Sequence, residues 1–236
     1  MLQINLAAAK TNKYAVREGG DSVEAVERPG GGLSVVMVDG QGSGRSAKAI
    51  ANMVTSKAIT FLKEGARDGA VARAANDYLY TFRHGQVSAT LSIVSVDMST
   101  RTIVISRNSH CPAIVLNKGC ISALSDESAP IGVHAKTKPV INEIAAQPGM
   151  TIVVFTDGMM HAGRRKGQQI DLLETLLRLH VEHDGNAEAV ANGLLSAAIG
   201  LDDNRPADDM SVLVLTVGEA REEPAVREMI IRLPIP

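Results

Sequence analysis

The sequence predicts an α+β fold, a layered sandwich in which strands outnumber helices. Seven runs are rich in β-branched residues and bounded by turn formers, which is typical of strands. Helical periodicity appears only between groups of these runs. The order is therefore strands, two helices, strands, helices and strands. This order lacks the strict alternation of a doubly wound parallel sheet.

The predicted elements follow in chain order. Strands are expected at 3–9, 33–39, 87–97, 101–107, 113–117, 150–157 and 210–217. Helices are expected at 45–64, 69–83, 170–182 and 186–200, each closed by glycine or by a turn that contains glycine. Because no repeat or low-complexity linker divides the 236 residues, we predict a single domain over residues 1–217. Residues 218–236 are predicted to be a C-terminal extension that could add a strand.

Charge and hydropathy exclude several classes of partner. The formal net charge is −2, and the basic residues are spread along the chain, so no basic stripe favours nucleic acid. The sequence has neither a signal peptide at its start nor an apolar run of the roughly 20 residues that a membrane span needs. We therefore expect a soluble, cytoplasmic protein. Cys111 and Cys120 lack the spacing of a zinc site, and both are expected to be small buried residues.

Carboxylates recur beside glycines and at strand ends. They are Asp21 after Gly19–Gly20, Asp39 before Gly40, Asp157 before Gly158, and Asp208–Asp209 before the last strand. Converging carboxylates repel one another unless a cation neutralises them. Oxygen ligands without a neighbouring His or Cys favour Mg²⁺, Mn²⁺ or Ca²⁺ over zinc. The set predicts a dinuclear Mg²⁺ or Mn²⁺ site. The alternative is that each Asp is an ordinary turn or cap residue.

The glycine loop GQGSGRS, residues 40–46, has a second interpretation as a phosphate cradle. It lacks the lysine of the GxxxxGK[ST] motif and the spacing of GxGxxG. Asp39 at the strand end would also repel a phosphate in the absence of a metal. We therefore favour a loop whose glycines let the backbone approach an ion, with Gly40 offering its carbonyl oxygen.

Seven motifs carry a resemblance to a known family. They are GGD at 19–21, DGQGSG at 39–44, SATLSIVSVD at 88–97, NSHCPAIVL at 108–116, SAPIGV at 128–133, FTDGMM at 155–160 and ADDMSVLVL at 207–215. In this order they resemble the PPM (type 2C) metal-dependent Ser/Thr protein phosphatases, and within them the bacterial SpoIIE-like branch. The resemblance implies a four-layer αββα sandwich, with two central, mainly antiparallel sheets flanked by helices.

The resemblance also implies roles for the acids. Asp39 would bridge two ions, Mn²⁺ or Mg²⁺, and Asp157 and Asp208 would complete one site. Asp21 and the Gly40 carbonyl would serve the other ion, and Asp209 would support a ligand. Asp39, Asp157 and Asp208 would then be catalytic through a metal-bound water that attacks phosphoserine or phosphothreonine. No other cofactor is implied.

The implied substrates are phosphorylated STAS-domain proteins of a stressosome, as for the small stand-alone phosphatase that resets it. A phosphatase of an anti-sigma-factor antagonist, within a sigma-factor partner-switching module, is the alternative. A non-catalytic phosphoprotein-binding regulator is a third hypothesis, but such proteins usually lose a metal ligand, and the acidic set is intact here.

Departures from the family pattern leave the proton donor unidentified. Ser43 stands where many relatives carry His or Lys, and His161 where an acid often follows. His110 is a candidate acid, but we expect it to lie on a strand edge with structural hydrogen bonds. The basic run Arg164, Arg165 and Lys166 is either a solvated loop or part of a docking surface for an acidic partner.

Overall fold

The computed structural model describes residues 1–220 and 228–232. None of the helices in this part of the chain is long and apolar enough to cross a membrane. The strands are β1 Leu2–Thr11, β2 Asp21–Glu27, β3 Leu33–Gly40, β4 Ala89–Asp97, β5 Thr102–Asn108, β6 Ala113–Asn117, β7 Cys120–Leu124, β8 Val140–Ala145, β9 Thr151–Phe155 and β10 Met210–Glu219. The helices are α1 Gly44–Lys63, α2 Asp68–Phe82, α3 Asp157–Met160, α4 Leu172–Glu182 and α5 Ala187–Leu201.

The strands form two five-stranded sheets. One sheet has the order β1-β10-β9-β6-β7 and the other the order β2-β3-β4-β5-β8. All pairs of neighbouring strands are antiparallel. Helices α1 and α2 pack on the β2–β8 sheet, and α5, with α4 beside it, packs on the β1–β7 sheet. The predicted α+β sandwich of two antiparallel sheets flanked by helices is confirmed.

Alternation along the strands separates three apolar layers. On β3, Val35 and Met37 face the other sheet, whereas Val36 and Val38 face the helices α1 and α2. The facing sheet contributes residues such as Ile152 and Leu213 to the layer between the sheets. Side chains two residues apart share a face of a strand. The next inward positions after Val35 and Met37 therefore fall at the end of β3, where Asp39 lies.

Strands β2, β7 and β8 were not predicted from the sequence. All three lie at sheet edges. β2 reads DSVEAVE, and β7 and β8 alternate between exposed and partly buried residues. Their apolar signal is weak because an edge strand buries less of its surface. The expectation for Cys120 is wrong, since this residue opens β7 and is exposed, whereas Cys111 is buried as expected.

The predicted C-terminal extension is described only in part. β10 continues to Glu219, two residues past the expected domain boundary. Residues 228–232 are not in a strand, and Arg232 forms an ion pair with Glu188 at the start of α5. The hypothesis of an added strand otherwise concerns residues 221–227 and 233–236, which lie outside the described part of the chain.

The layer between the sheets should contribute strongly to stability. Ile152 is 1% exposed within it, and we expect Ile152→Ala to lower the free energy of unfolding by about 2–5 kcal/mol through lost burial and a residual cavity. Val181 on α4 is 79% exposed, so Val181→Ala should change the free energy of unfolding by less than about 0.5 kcal/mol. Urea unfolding of both variants tests this, and equal midpoints would contradict the layer assignment.

Candidate active site

The register of the first hairpin brings two acids together. Asp21 opens β2 and Asp39 is the next-to-last residue of β3, and the two residues are direct partners in the antiparallel pair. Directly opposite residues present their side chains on one face of a sheet. That face is the one turned toward the other sheet, because Asp39 continues the inward series of Val35 and Met37. Two carboxylates therefore lie at one end of the apolar layer between the sheets.

Asp21 is held from the opposite sheet. The hydroxyls of Thr156, which follows β9, and Ser211 on β10 donate to Asp21 Oδ2 at 2.8 and 2.6 Å. The other oxygen, Oδ1, is buried and has no hydrogen-bond partner among the described residues. Sequence reasoning missed both hydroxyls. They could have been found from their spacing: each lies two residues from an inward-facing residue, Val154 or Leu213, and so shares its face of the strand.

Lysines fix the backbone of Asp21. Its carbonyl oxygen accepts hydrogen bonds from Lys48 Nζ of α1 at 2.7 Å and from Lys10 Nζ of β1 at 3.3 Å. Burial and the charge of Lys10 lower the pKa of Lys48. The start of β2 is thus tied both to the helix that covers its own sheet and to the edge strand of the other sheet.

Repulsion is strongest at Asp39. Burial, followed by the charges of Asp21, Asp157, Asp208 and Asp209, raises the pKa of Asp39 to about 8. The pKa of Asp21 is raised to about 6 by burial, with Thr156 and Ser211 acting in the opposite direction. Burial is also the main cause that raises the pKa of Asp208. The structure therefore brings together all five acids that the sequence singled out, and no Lys or Arg among the described residues forms an ion pair with any of them.

This arrangement fits a divalent cation chemically. A buried carboxylate oxygen without a partner and a carboxyl with a pKa of about 8 are features that a bound cation would offset. Within residues 1–220 and 228–232, however, no three acidic, His or Cys side chains stand as a ready-made cage for an ion. Asp208 Oδ1 accepts from the Asp209 amide and Asp21 Oδ2 accepts from the two hydroxyls, so two of the candidate ligand oxygens already face protein donors.

Asp209 has a supporting role in this geometry. Its Oδ1 accepts from the Lys13 amide at 2.8 Å, and its Oδ2 accepts from the Gly20 amide at 2.5 Å. Both donors belong to the chain between β1 and β2. Asp209 therefore fixes the segment that leads into Asp21, and its own oxygens are occupied.

The glycine loop is shaped by helix packing. A Cβ on Gly40 would lie 2.2 Å from the Ala47 carbonyl oxygen, so only glycine permits this approach of α1 to the end of β3. The loop is also tied to the segment before β4. The Gln41 side-chain oxygen accepts from the Ser88 amide at 2.8 Å, and the Gln41 amide donates to the Ser88 carbonyl at 3.0 Å.

Two histidines flank Asp157, which corrects the expectation that the acids have no nearby His. His110 Nε2 lies 3.7 Å and His161 Nδ1 lies 3.8 Å from Asp157 Oδ2, and their rings stack with centroids 6.5 Å apart. His110 is in the turn between β5 and β6, not on a strand edge. Buried Arg107 holds this turn by donating to the carbonyls of Ser109 and Cys111, the two residues on either side of His110.

Cys111 belongs to the same turn and directly follows His110. Its thiol is buried, and this burial raises its pKa to about 12, with the negative charges of Asp157 and Asp39 acting in the same direction. The thiol is therefore protonated at neutral pH.

The basic run does not form one patch. Arg164–Lys166 is a 3₁₀ turn after α3, and all three residues are exposed. Lys166 pairs with Asp203, and Arg165 donates to the Ala207 carbonyl at 3.4 Å. Arg164 lines a separate cavity of about 160 Å³ beside His161.

Asp202 was missed by sequence reasoning. It caps α5 and is buried, and its two oxygens accept from the amides of Gly163 and Ala207, each at 2.9 Å. Gly163 follows the segment that carries Asp157, and Ala207 directly precedes Asp208. One carboxylate thus aligns two of the segments that meet at the site. A lone Asp at a helix end carries no signal for this role in the sequence.

Solved structures share this architecture. The PP2C phosphatase domain of SpoIIE from Bacillus subtilis, solved with a fragment of its regulatory domain, matches with a TM-score of 0.80 at 16% identity, over 94% of this chain and 65% of that one. The catalytic domain of the Ser/Thr protein phosphatase PstP, in complex with two manganese ions, matches with a TM-score of 0.72 at 15% identity. The match covers 93% of this chain and 100% of that one. RsbX in complex with magnesium matches with a TM-score of 0.69 at 15% identity, over 92% of this chain and 100% of that one.

These similarities define the class of the fold, that of the PPM-type Ser/Thr protein phosphatases. Residues 29–218 match the family described as Stage II sporulation protein E (SpoIIE), and the chain belongs to this family. The family and its structural neighbours are Ser/Thr protein phosphatases, which confirms the class of enzyme that the motifs indicated. The likeness to RsbX is one of structure. No curated protein sequence matches the chain.

The raised pKa of Asp39 predicts how the metal-free protein responds to pH. Its folded pKa of about 8 exceeds the ordinary value of 3.8, so the folded state binds more protons between these values than the unfolded state. The free energy of unfolding should therefore fall as pH rises from about 4 to about 8. In chelator, Asp39→Asn should flatten this fall, as measured by unfolding temperature against pH. The exposed control Asp184→Asn should follow the wild type, and parallel curves for all three proteins would contradict the assignment.

Proposed function

We propose that the protein is a metal-dependent phosphatase that hydrolyses phosphoserine and phosphothreonine in regulatory proteins. The observation that supports this most is the Asp21–Asp39 pair, two buried and facing carboxylates whose pKa values are raised to about 6 and about 8. Evolution tolerates such repulsion mainly where the groups act on a ligand. The intact acidic set favours an enzyme over a binding-only regulator with the same fold.

In this proposal, residues 1–217 act as one phosphatase domain and hold two ions, Mn²⁺ or Mg²⁺. Asp39 contributes to both ions, Asp157 and Asp208 to one, and Asp21 with the Gly40 carbonyl to the other. When bound, the ions neutralise the carboxylates, polarise the phosphoryl group and acidify water.

The chain's own residues supply orientation. Thr156 and Ser211 hold one oxygen of Asp21, which leaves Oδ1 available to a ligand. Asp209 uses both of its oxygens on backbone amides and therefore serves as a support rather than a ligand. His110 and His161 stand beside Asp157, where they could donate hydrogen bonds to a phosphoryl oxygen or a leaving alkoxide.

Substrate class follows from the scarcity of aromatic residues. The sequence has three Tyr, three Phe and no Trp, and Phe155 is buried in the core between the β1–β7 sheet and its helices. A deep pocket for phosphotyrosine needs aromatic walls to contact the ring. A shallow site suits the short side chains of phosphoserine and phosphothreonine.

The partner in this proposal is a phosphorylated STAS-domain protein. The structural likeness to RsbX supports a stressosome component as the substrate. The family match to SpoIIE supports an anti-sigma-factor antagonist, in a sigma-factor partner-switching module, as the second candidate. Both kinds of substrate present a phosphorylated residue on a small domain, so selectivity must come from contacts outside the acid cluster.

Metal removal tests the function directly. Phosphatase activity on a phosphoserine or phosphothreonine protein should disappear in excess chelator and return when Mn²⁺ or Mg²⁺ is added, because the acids need a cation to act together. Phosphotyrosine in the same sequence context should be hydrolysed at least about tenfold more slowly. The measurement is phosphate release with each substrate and metal. Full activity in metal-stripped protein would rule out the proposed mechanism.

The two facing acids should differ in importance. Asp39→Asn removes a ligand shared by both ions and should lower kcat/KM by about 100-fold or more, whereas Asp21→Asn should cost about tenfold. The matched control is Asp184→Asn, which alters an exposed carboxylate in the turn before α5 and should retain wild-type kinetics. Near wild-type rates in both Asp39→Asn and Asp21→Asn would show that the metal site lies elsewhere.

A further inference from the structure

A positively charged corner lies next to the acid cluster. Arg205, in the turn after α5, places its guanidinium carbon 5.4 Å from the centre of the Tyr14 ring. The Tyr14 amide donates to the Pro206 carbonyl at 2.9 Å, so the two loops also join through their backbones. Tyr14 is 56% exposed, although the sequence has only three Tyr and three Phe.

Stacking prepares Arg205 to bind an anion. A guanidinium held against an aromatic face keeps its N–H groups available, and their fork matches a carboxylate in two-point geometry. Among the residues that the structure describes, no carboxylate forms an ion pair with Arg205. The ring thus lowers the conformational entropy that the arginine loses when it binds a partner.

Arg205 borders an open cavity of about 430 Å³, which is lined by Arg165, Lys166, Asp202, Asp203 and Arg205. Both acids in this lining are already engaged. Asp202 accepts from two backbone amides, and Asp203 pairs with Lys166. Arg165 donates to a carbonyl oxygen, which does not neutralise its charge. The lining therefore carries three basic and two acidic side chains, a net charge of +1, and Arg165 and Arg205 are its basic side chains without an ion pair among the described residues.

The cavity lies close to the proposed reaction centre. Arg205 precedes Asp208 by three residues, a span of at most about 11 Å of chain. Arg165 contacts the carbonyl of Ala207, the residue before Asp208. A substrate segment whose phosphorylated residue reaches the acid cluster can therefore reach the cavity within on the order of three to five residues of extended chain.

We infer that this cavity is a docking site for an acidic side chain of the phosphoprotein substrate, located a few residues from the phosphorylated Ser or Thr. The inference rests on the proposed function and adds a sequence preference to it. The guanidinium of Arg205 receives the carboxylate, and Arg165 adds a second positive charge. Arg164 lies outside this site, beside His161.

The test uses phosphoserine peptides that are neutral apart from one Glu, placed in turn at each of the five positions on either side of the phosphoserine. With Mn²⁺ present, Glu at about three to five residues should raise kcat/KM by about tenfold over the neutral peptide. Arg205→Ala should remove this preference, and Arg205→Lys should restore only part of it because lysine lacks the fork. Arg178→Ala, on the outer face of α4, is the matched control and should keep the preference.

A binding measurement separates docking from catalysis. The unphosphorylated Glu peptide, labelled for fluorescence anisotropy, should bind metal-free wild type about tenfold more tightly than Arg205→Glu. Tyr14→Ala should weaken binding more than Tyr14→Phe, which keeps the stacking surface. Equal kcat/KM at every Glu position, or a preference that survives in Arg205→Ala, would overturn the docking site while leaving the phosphatase intact. Failure to hydrolyse any peptide, with peptide binding still dependent on Arg205, would instead overturn the proposed function.

Discussion

Electrostatic repulsion among carboxylates at one end of the sandwich is the constraint on which the rest of the site depends. Asp21 and Asp39 face each other across a β-hairpin, at the point where the apolar layer between the sheets ends. Without a cation, such a pair takes up protons well above the usual pKa of an aspartic acid. The surrounding structure must therefore hold these side chains close together against their mutual repulsion.

The surrounding residues meet this constraint with neutral donors. Hydroxyls from β10 and from the end of β9 hold Asp21, and backbone amides hold Asp209 and Asp202. Lysines approach the backbone of Asp21 rather than its carboxylate. Neutral donors orient an acid without cancelling its charge, so the negative potential remains available for a cation. The stability of the domain comes instead from the three apolar layers.

Much of this could be predicted from the sequence, and the failures have physical causes. The central strands β3, β4, β9 and β10 were predicted because both of their faces are buried and their sequences are therefore largely apolar. The edge strands β2, β7 and β8 were not predicted, because only one of their faces is apolar. β1, also at an edge, was predicted because it is longer, with ten residues. The acids were found because each lies directly before or at the end of a strand, or adjoins a glycine. Sequence analysis did not identify Thr156, Ser211 and Asp202, because their roles depend on segments that are distant in the chain and meet only in the folded protein.

The state of Cys111 has a consequence for the chemistry of the cell in which the enzyme works. Phosphatases that attack with a cysteine thiolate are inactivated when peroxide oxidises that sulfur. Here the Cys111 thiol is buried and stays protonated, with a pKa of about 12. It is a poor target for oxidants and a poor competitor for ions. An activity carried by the carboxylates, as proposed, would not lose its nucleophile when a cysteine is oxidised.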